Sequence, residues 1–291
     1  MASDAAGDRC FCCLEDDGSL LKCTCACKTL FACASCFFQL VCEGNACTIC
    51  RASFGDETIT RVCECALESV RTKPVLDEAR HMVEIRALGV MLPTGDGSSA
   101  FARVEELAEE YQSVLGVDHE ATLHMKLLSA FALIRQEIYC RALKGIMEIE
   151  GALVARWQEA PAEWERLMYT AKQQKAFCLW HVGTRWTDHD ALAETEYHRL
   201  LAFMSENGIF MSVHYLATYH MFARFMKVRV EELFAEQTVR RQTRARKALW
   251  LRATQVVVGA HSAHVFAYGP EHERSIELRA DTITLQGYEM S

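Results

Sequence analysis

The sequence is poor in features that would announce a function class directly. Proline is scarce, 4 in 291 residues, and the 15 glycines form no collagen-like or low-complexity block. With 51% hydrophobic and 24% charged residues, the composition is that of a folded globular chain and excludes wholesale disorder. Basic charge is outnumbered, 31 Lys and Arg against 39 Asp and Glu, for a formal net charge of −8. General nucleic-acid binding needs a basic face, so this balance argues against it. No apolar run reaches the ~18–20 residues needed to cross a bilayer. The longest candidate, Ile209 to Met226, is broken by His214, His220 and Arg224. The segment MASDAAGDRC lacks the basic start and apolar core of a secretory signal. The expectation is an intracellular protein without a membrane span, in a reducing compartment, most simply the cytoplasm. Enzyme fingerprints are missing as well: no GxSxG, no Walker loop, no dinucleotide motif, and no HExxH spacing among His181, His214, His220, His261 and His264.

Cysteine is abundant, and its distribution is uneven. Of 15 cysteines, 13 lie in the first 65 residues; Cys140 and Cys178 are the others. Close pairs recur: Cys10-x2-Cys13, Cys23-x-Cys25, Cys33-x2-Cys36 and Cys47-x2-Cys50. Short gaps let thiolates converge on one ion and suit disulfides poorly, since structural disulfides close larger loops. An odd total and the missing secretory signal point the same way, so the segment reads as metal-binding. Eight paired thiolates at four ligands each make two tetrahedral zinc sites. A segment of this size has little apolar core, so metal binding would supply most of its folding free energy. Spacing alone does not choose between sequential and crosswise pairing of the four pairs.

The stretch Cys10 to Arg51 resembles a RING finger, in particular the RING-CH variant. That family has a short CxC pair, seven residues, and then a ligand pair spaced by two. Here Cys23-Thr24-Cys25 is followed by seven residues and then by Cys33 and Cys36. The resemblance implies a cross-brace, with Cys10, Cys13, Cys33 and Cys36 on one zinc and Cys23, Cys25, Cys47 and Cys50 on the other. It also implies a shallow surface of Phe11, Cys12, Leu40 and Arg51 that docks a ubiquitin-conjugating enzyme. Three positions depart from the family pattern. Cys33 stands where a ligand histidine is usual, Cys12 where a larger apolar residue is usual, and Leu40 where a tryptophan is usual. Cys27 is an alternative ligand to Cys23 or Cys25. Cys12, Cys27 and Cys42 read as small buried hydrophobes, and Cys63-x-Cys65 as structural.

From about residue 66 onward the hydrophobic period is close to that of a helix. Leu107, Tyr111 and Val114/Leu115 form an apolar stripe over 102–115, opposite Glu105, Glu106, Glu109 and Glu110. Gly116 can end that helix. A second helix is expected from about Glu120 through Ala155, Pro161 opens another, and Asn207-Gly208 stops one. Met91 to Ser99 reads as a loop. Thr282 to Leu285 offers the one alternating, strand-like stretch. Cys140 and Cys178 lie mid-helix among apolar residues, suited to packing. The run from Arg240 to Lys247, leading to Trp250 and Arg252, reads as a solvated face paired with Glu231, Glu232 and Glu236.

The turn Leu115-Gly116-Val117-Asp118-His119-Glu120-Ala121-Thr122-Leu123 resembles that between tetratricopeptide repeats of kinesin-light-chain type. Counting from Thr122, the family expects Ala eight on, Gln fourteen on, Tyr seventeen on and Ala twenty on, and the chain has Ala130, Gln136, Tyr139 and Ala142. Glu137 stands where the family has glycine. The turn recurs at Tyr268 to Ile276, with a fainter echo at Thr187 to Leu192. The expected architecture is a small RING-like cross-brace zinc module, residues 1–60, followed by an all-α, TPR-like domain of antiparallel helix pairs, residues 61–291. The resemblances together imply a RING-type E3 ubiquitin ligase that docks a conjugating enzyme and recruits a protein substrate through its repeats. The competing expectation is a non-catalytic, zinc-stabilised scaffold within a larger protein assembly.

Overall fold

In a computed structural model, the residues described are 10, 12–13, 20–22, 31–44, 52–94, 97–182, 188–235 and 243–289. The chain separates into two compact units, Met1–Trp164 and Glu165–Ser291. Strands β1 (Leu20–Lys22) and β2 (Phe31–Cys33) pair antiparallel, with Leu20 opposite Cys33. The chain passes directly from β2 into α1 (Ala34–Gly44). Five more helices complete the first unit: α2 (Asp56–Val70), α3 (Glu78–Met91), α4 (Gly97–Leu115), α5 (Glu120–Arg135) and α6 (Tyr139–Glu159). The division between units falls inside α7 (Pro161–Val182). The second unit continues with α8 (Asp188–Glu206), α9 (Val213–Ala235), α10 (Thr243–Tyr268) and α11 (Glu273–Glu289). Within the units, neighbouring helices such as α2 and α3, α4 and α5, α5 and α6, α9 and α10, and α10 and α11 pack as antiparallel pairs.

Local chemistry sets the helix ends. Asp77 caps α3, its carboxylate accepting from the amides of Ala79 at 2.8 Å and Arg80 at 3.2 Å. Gly116 ends α4 at φ 90°. In α2 the buried residues Ile59, Val62, Cys63, Ala66 and Val70 fall on one face at helical spacing. Ile59, Val62 and Cys63 join a continuous core with Phe37 and Val41 of α1, Phe54, Leu88 of α3, Leu107 of α4 and Met125 of α5. The boundary expected at residue 60 therefore lies within α2, whose buried face serves the cysteine-rich end and the helices together.

Several expectations need correction. The helix expected from Glu120 through Ala155 is two helices, broken at Gln136–Ile138. Glu137 takes a left-handed φ of 62°. The amides of Glu137 and Ile138 donate to the carbonyls of Ile134 at 3.0 Å and Leu133 at 2.9 Å. This is a Schellman ending with glutamate in the position glycine usually fills. Thr282 to Leu285 is helical, inside α11. α4 begins at Gly97, earlier than the loop reading allowed. Cys140 is exposed at the start of α6, whereas Cys178 is fully buried as expected. Arg252 pairs with Glu194 of α8, Nε to carboxylate 2.8 Å; Glu236 and the side chains of Arg240 to Ala245, on which the expected pairing rests, lie outside the described residues. The end of α8 does stop at Asn207-Gly208, with Gly208 at φ 75°.

Candidate metal centre

A strand-to-helix junction brings two thiols together. Cys33 closes β2, and Cys36 lies in the first turn of α1, so the change from strand to helix turns both toward one point. Cys10 and Cys13 reach the same point. One ligand atom from each of Cys10, Cys13, Cys33 and Cys36 lies within 4.8 Å of every other. Sγ of Cys13 and Sγ of Cys33 are 3.9 Å apart. A tetrahedral zinc with Zn–S bonds near 2.3 Å separates its sulfurs by about 3.8 Å, so the donor set and its spacing fit a four-thiolate ion. The described cysteines are all free thiols. Among the described residues, the first cysteine pair thus meets the third.

The electrostatics of the cluster suit a cation. Burial works against ionisation of Cys10, but hydrogen bonds from the backbone of Cys13, Cys33 and Cys12 outweigh it and bring the thiol down to about 6. Cys36 moves the other way, raised by burial and then by its neighbours Cys33, Cys13 and Cys10. Four thiols in so small a space cannot all ionise against one another, and a divalent ion at their centre removes that repulsion. The amide of Cys36 also points at Sγ of Cys33, 3.5 Å away. Such N–H···S contacts orient a ligating sulfur and spread its charge.

Cys23, Cys25, Cys47 and Cys50, with Cys27, Phe11 and Arg51, lie outside the described residues. Of the remaining expected docking residues, Cys12 is exposed, contrary to its reading as a buried hydrophobe. Leu40 is half-buried and packs on the core shared by α1 to α5. Cys63 and Cys65 sit two residues apart on α2, so their side chains diverge. Cys63 is fully buried, and burial pushes its thiol to about 12, while Cys65 is exposed. That separation suits a structural Cys63 and no shared ion.

A second cluster escaped the sequence reading. Arg80 and Glu84 of α3 are both buried, with Nε and Oε1 3.2 Å apart. Arg80 also donates to both oxygens of Glu110 at 3.1 and 3.0 Å and to the Lys73 carbonyl at 3.1 Å. The Tyr111 hydroxyl donates to Glu84, and His81 donates to the Val75 carbonyl. Every strong charge here has a partner, so the cluster fastens α3 to α4 and offers no open coordination position. The i, i+4 spacing of Arg80 and Glu84 was visible in the sequence, but such pairs are usually solvent-exposed, and nothing local marks this one as buried.

No family model, curated protein or solved structure matches the chain.

Proposed function

We propose that the chain is a RING-type E3 ubiquitin ligase-like protein. In this reading the cysteine-rich end holds two zinc ions and docks a ubiquitin-conjugating enzyme. The helical remainder, with its TPR-like turns, recruits a protein substrate. The observation that carries the reading is the partnering of Cys10 and Cys13 with Cys33 and Cys36. A sequential zinc ribbon would join the first pair to Cys23 and Cys25, whereas a cross-brace joins first to third. Such a ligase performs no covalent chemistry itself. It orients a thioester for attack, which is catalysis by positioning.

One observation favours a second reading, a non-catalytic zinc-stabilised scaffold. Leu40, in the place of the usual aromatic anchor, is half-buried against the core and offers little area to a partner. Autoubiquitination across a panel of conjugating enzymes separates the two. The ligase reading expects ubiquitin chains that disappear with Arg51→Ala while zinc is retained, and higher activity with Leu40→Trp. If neither substitution changes ubiquitin discharge from any conjugating enzyme, the scaffold reading stands.

A further inference from the structure

The turn at 115–123 and its echo at 268–276 have the same structure. Gly116 and Gly269 take φ of 90° and 89°. Nδ1 of His119 accepts from the Ala121 amide at 3.2 Å, and Nδ1 of His272 accepts from the Arg274 amide at 3.3 Å. Thr122 and Ser275, three residues past these histidines, are both fully buried. The helices that follow are placed alike within their own units: α5 packs on α4 and α3, and α11 packs on α10 and α9.

Aligned on this turn, α5 and α11 share one face and differ in the other. Thr122, Met125 and Ala132 of α5 correspond to Ser275, Leu278 and Leu285 of α11, and all six are buried. On the second face, Leu123, Leu127 and Ala130 of α5 are at most 3% exposed. They lie outside the core that α5 shares with α3 and α4, and α6 is the other helix packed on α5. Their counterparts on α11 are Ile276, Ala280 and Ile283. Ile276 is 51% exposed and Ile283 61%, and Ala280 is exposed too. Among the described elements, none plays the part of α6 for α11. Arg279, exposed between the two isoleucines, has no ion-pair partner among the described residues.

We propose that the Ile276–Ala280–Ile283 face of α11 docks one amphipathic helix of a partner protein, running antiparallel to α11. The partner helix has the pattern of α6, whose buried residues are Ala142, Ile146, Ile149 and Leu153, and it presents a carboxylate to Arg279. The repeat itself defines this occupant, because α6 is the element that buries the same face of α5. Charge argues against a second copy of the chain. A twofold antiparallel pairing of α11 that sets Ile276 against Ile283 brings two Arg279 side chains together at the axis, a like-charge contact that suppresses association. The proposal is independent of the ligase reading and of zinc.

The test uses the full chain and a labelled peptide of the α6 sequence, Tyr139–Glu159. A lactam between the exposed Lys144 and Glu148, whose charged groups lie 3.8 Å apart, holds the peptide helical. Fluorescence anisotropy is expected to show saturable binding, weakened about tenfold or more by Ile283→Glu and less by Arg279→Glu. Ile283 is exposed, so circular dichroism should remain unchanged; Ile283→Ala provides a milder variant with an intermediate loss. Three results overturn the proposal. One is no saturation at millimolar peptide. Another is binding insensitive to Ile283→Glu, which would mean that the peptide displaces α6 from α5 instead. The third is a dimer by sedimentation that dissociates on Ile283→Glu, which assigns the face to a second copy.

Discussion

Loss of the metal centre should melt more than the cysteine-rich end. Cys10 and Cys33 are 0% and 5% exposed and belong to the same core as the helices. Phe37 and Val41 of α1, with Phe54, connect the two; the Phe37 and Phe54 rings meet edge to face at 4.9 Å. If Cys33→Ser releases the ion, β2 and the start of α1 lose their anchor and these three side chains lose their burial. At ~1.5–3 kcal/mol each they contribute roughly 5–9 kcal/mol, an upper figure because unfolded chains retain some burial. That is comparable with the whole stability of a domain, about 5–15 kcal/mol. At ~2–4 °C per kcal/mol for a unit of this size, the first unit should melt roughly 10–30 °C lower. Hydrogen exchange read helix by helix gives the answer. Amides of α2 and α3 should lose protection in Cys33→Ser or under a zinc chelator, while α9 to α11, in the other unit, keep theirs. Unchanged protection of α2 and α3 after demonstrated metal loss would refute the shared core and support a separate zinc module.

Glu137→Gly should stabilise the first unit by about 0.5–1 kcal/mol, visible as a rise in its denaturation midpoint, because glutamate is strained at φ 62° and glycine is not. Ala130→Leu should cost ~1–3 kcal/mol by overpacking the contact of α5 with α6, where Ala130 and Ala142 are 2% and 0% exposed; a neutral result would mean the pair has room to separate. The second unit should weaken in mild acid. His220 and His264 are buried neighbours, rings 5.7 Å apart, and burial lowers both below the ordinary histidine range. Glu277 opposes this at His220, while Arg274 favours it at both. A depressed folded value means that the unfolded state takes up protons first. Stability is therefore full above about pH 6.5 and falls as pH drops from there toward the folded values. Urea midpoints at pH 7 and pH 5 should differ, and less so in His264→Gln.

Some of this structure was legible in the sequence, because the signals were local. The apolar stripe at Leu107 and Tyr111, the stop at Asn207-Gly208 and the turn around His119 depend on neighbours within one or two helical turns. The echo at His272 could be read for the same reason. The break at Glu137 was hidden because glutamate occupies a position that glycine usually marks, and the surrounding apolar pattern continues through it. The strand-like alternation at Thr282 to Leu285 was overridden by packing: Leu278, Asp281 and Leu285 fall on the buried face of α11, a helical spacing. In the metal centre the residue types and pairs could be read, but their partnering could not, since spacing fits either wiring. The shared core was also hidden. That Phe37, Phe54 and Ile59 meet is a long-range fact, and the concentration of cysteine suggested an independent module.

Zinc counted per chain in single and paired variants tests the central claim most directly. If Cys13 and Cys36 bind the same ion, Cys13→Ser and Cys36→Ser should each remove one zinc from a wild-type content near two, and the double variant should remove no more than either alone. If the losses add, so that the double variant gives up two ions, the thiols serve different sites and the four-cysteine centre is contradicted. A wild-type protein with no bound zinc would contradict it outright.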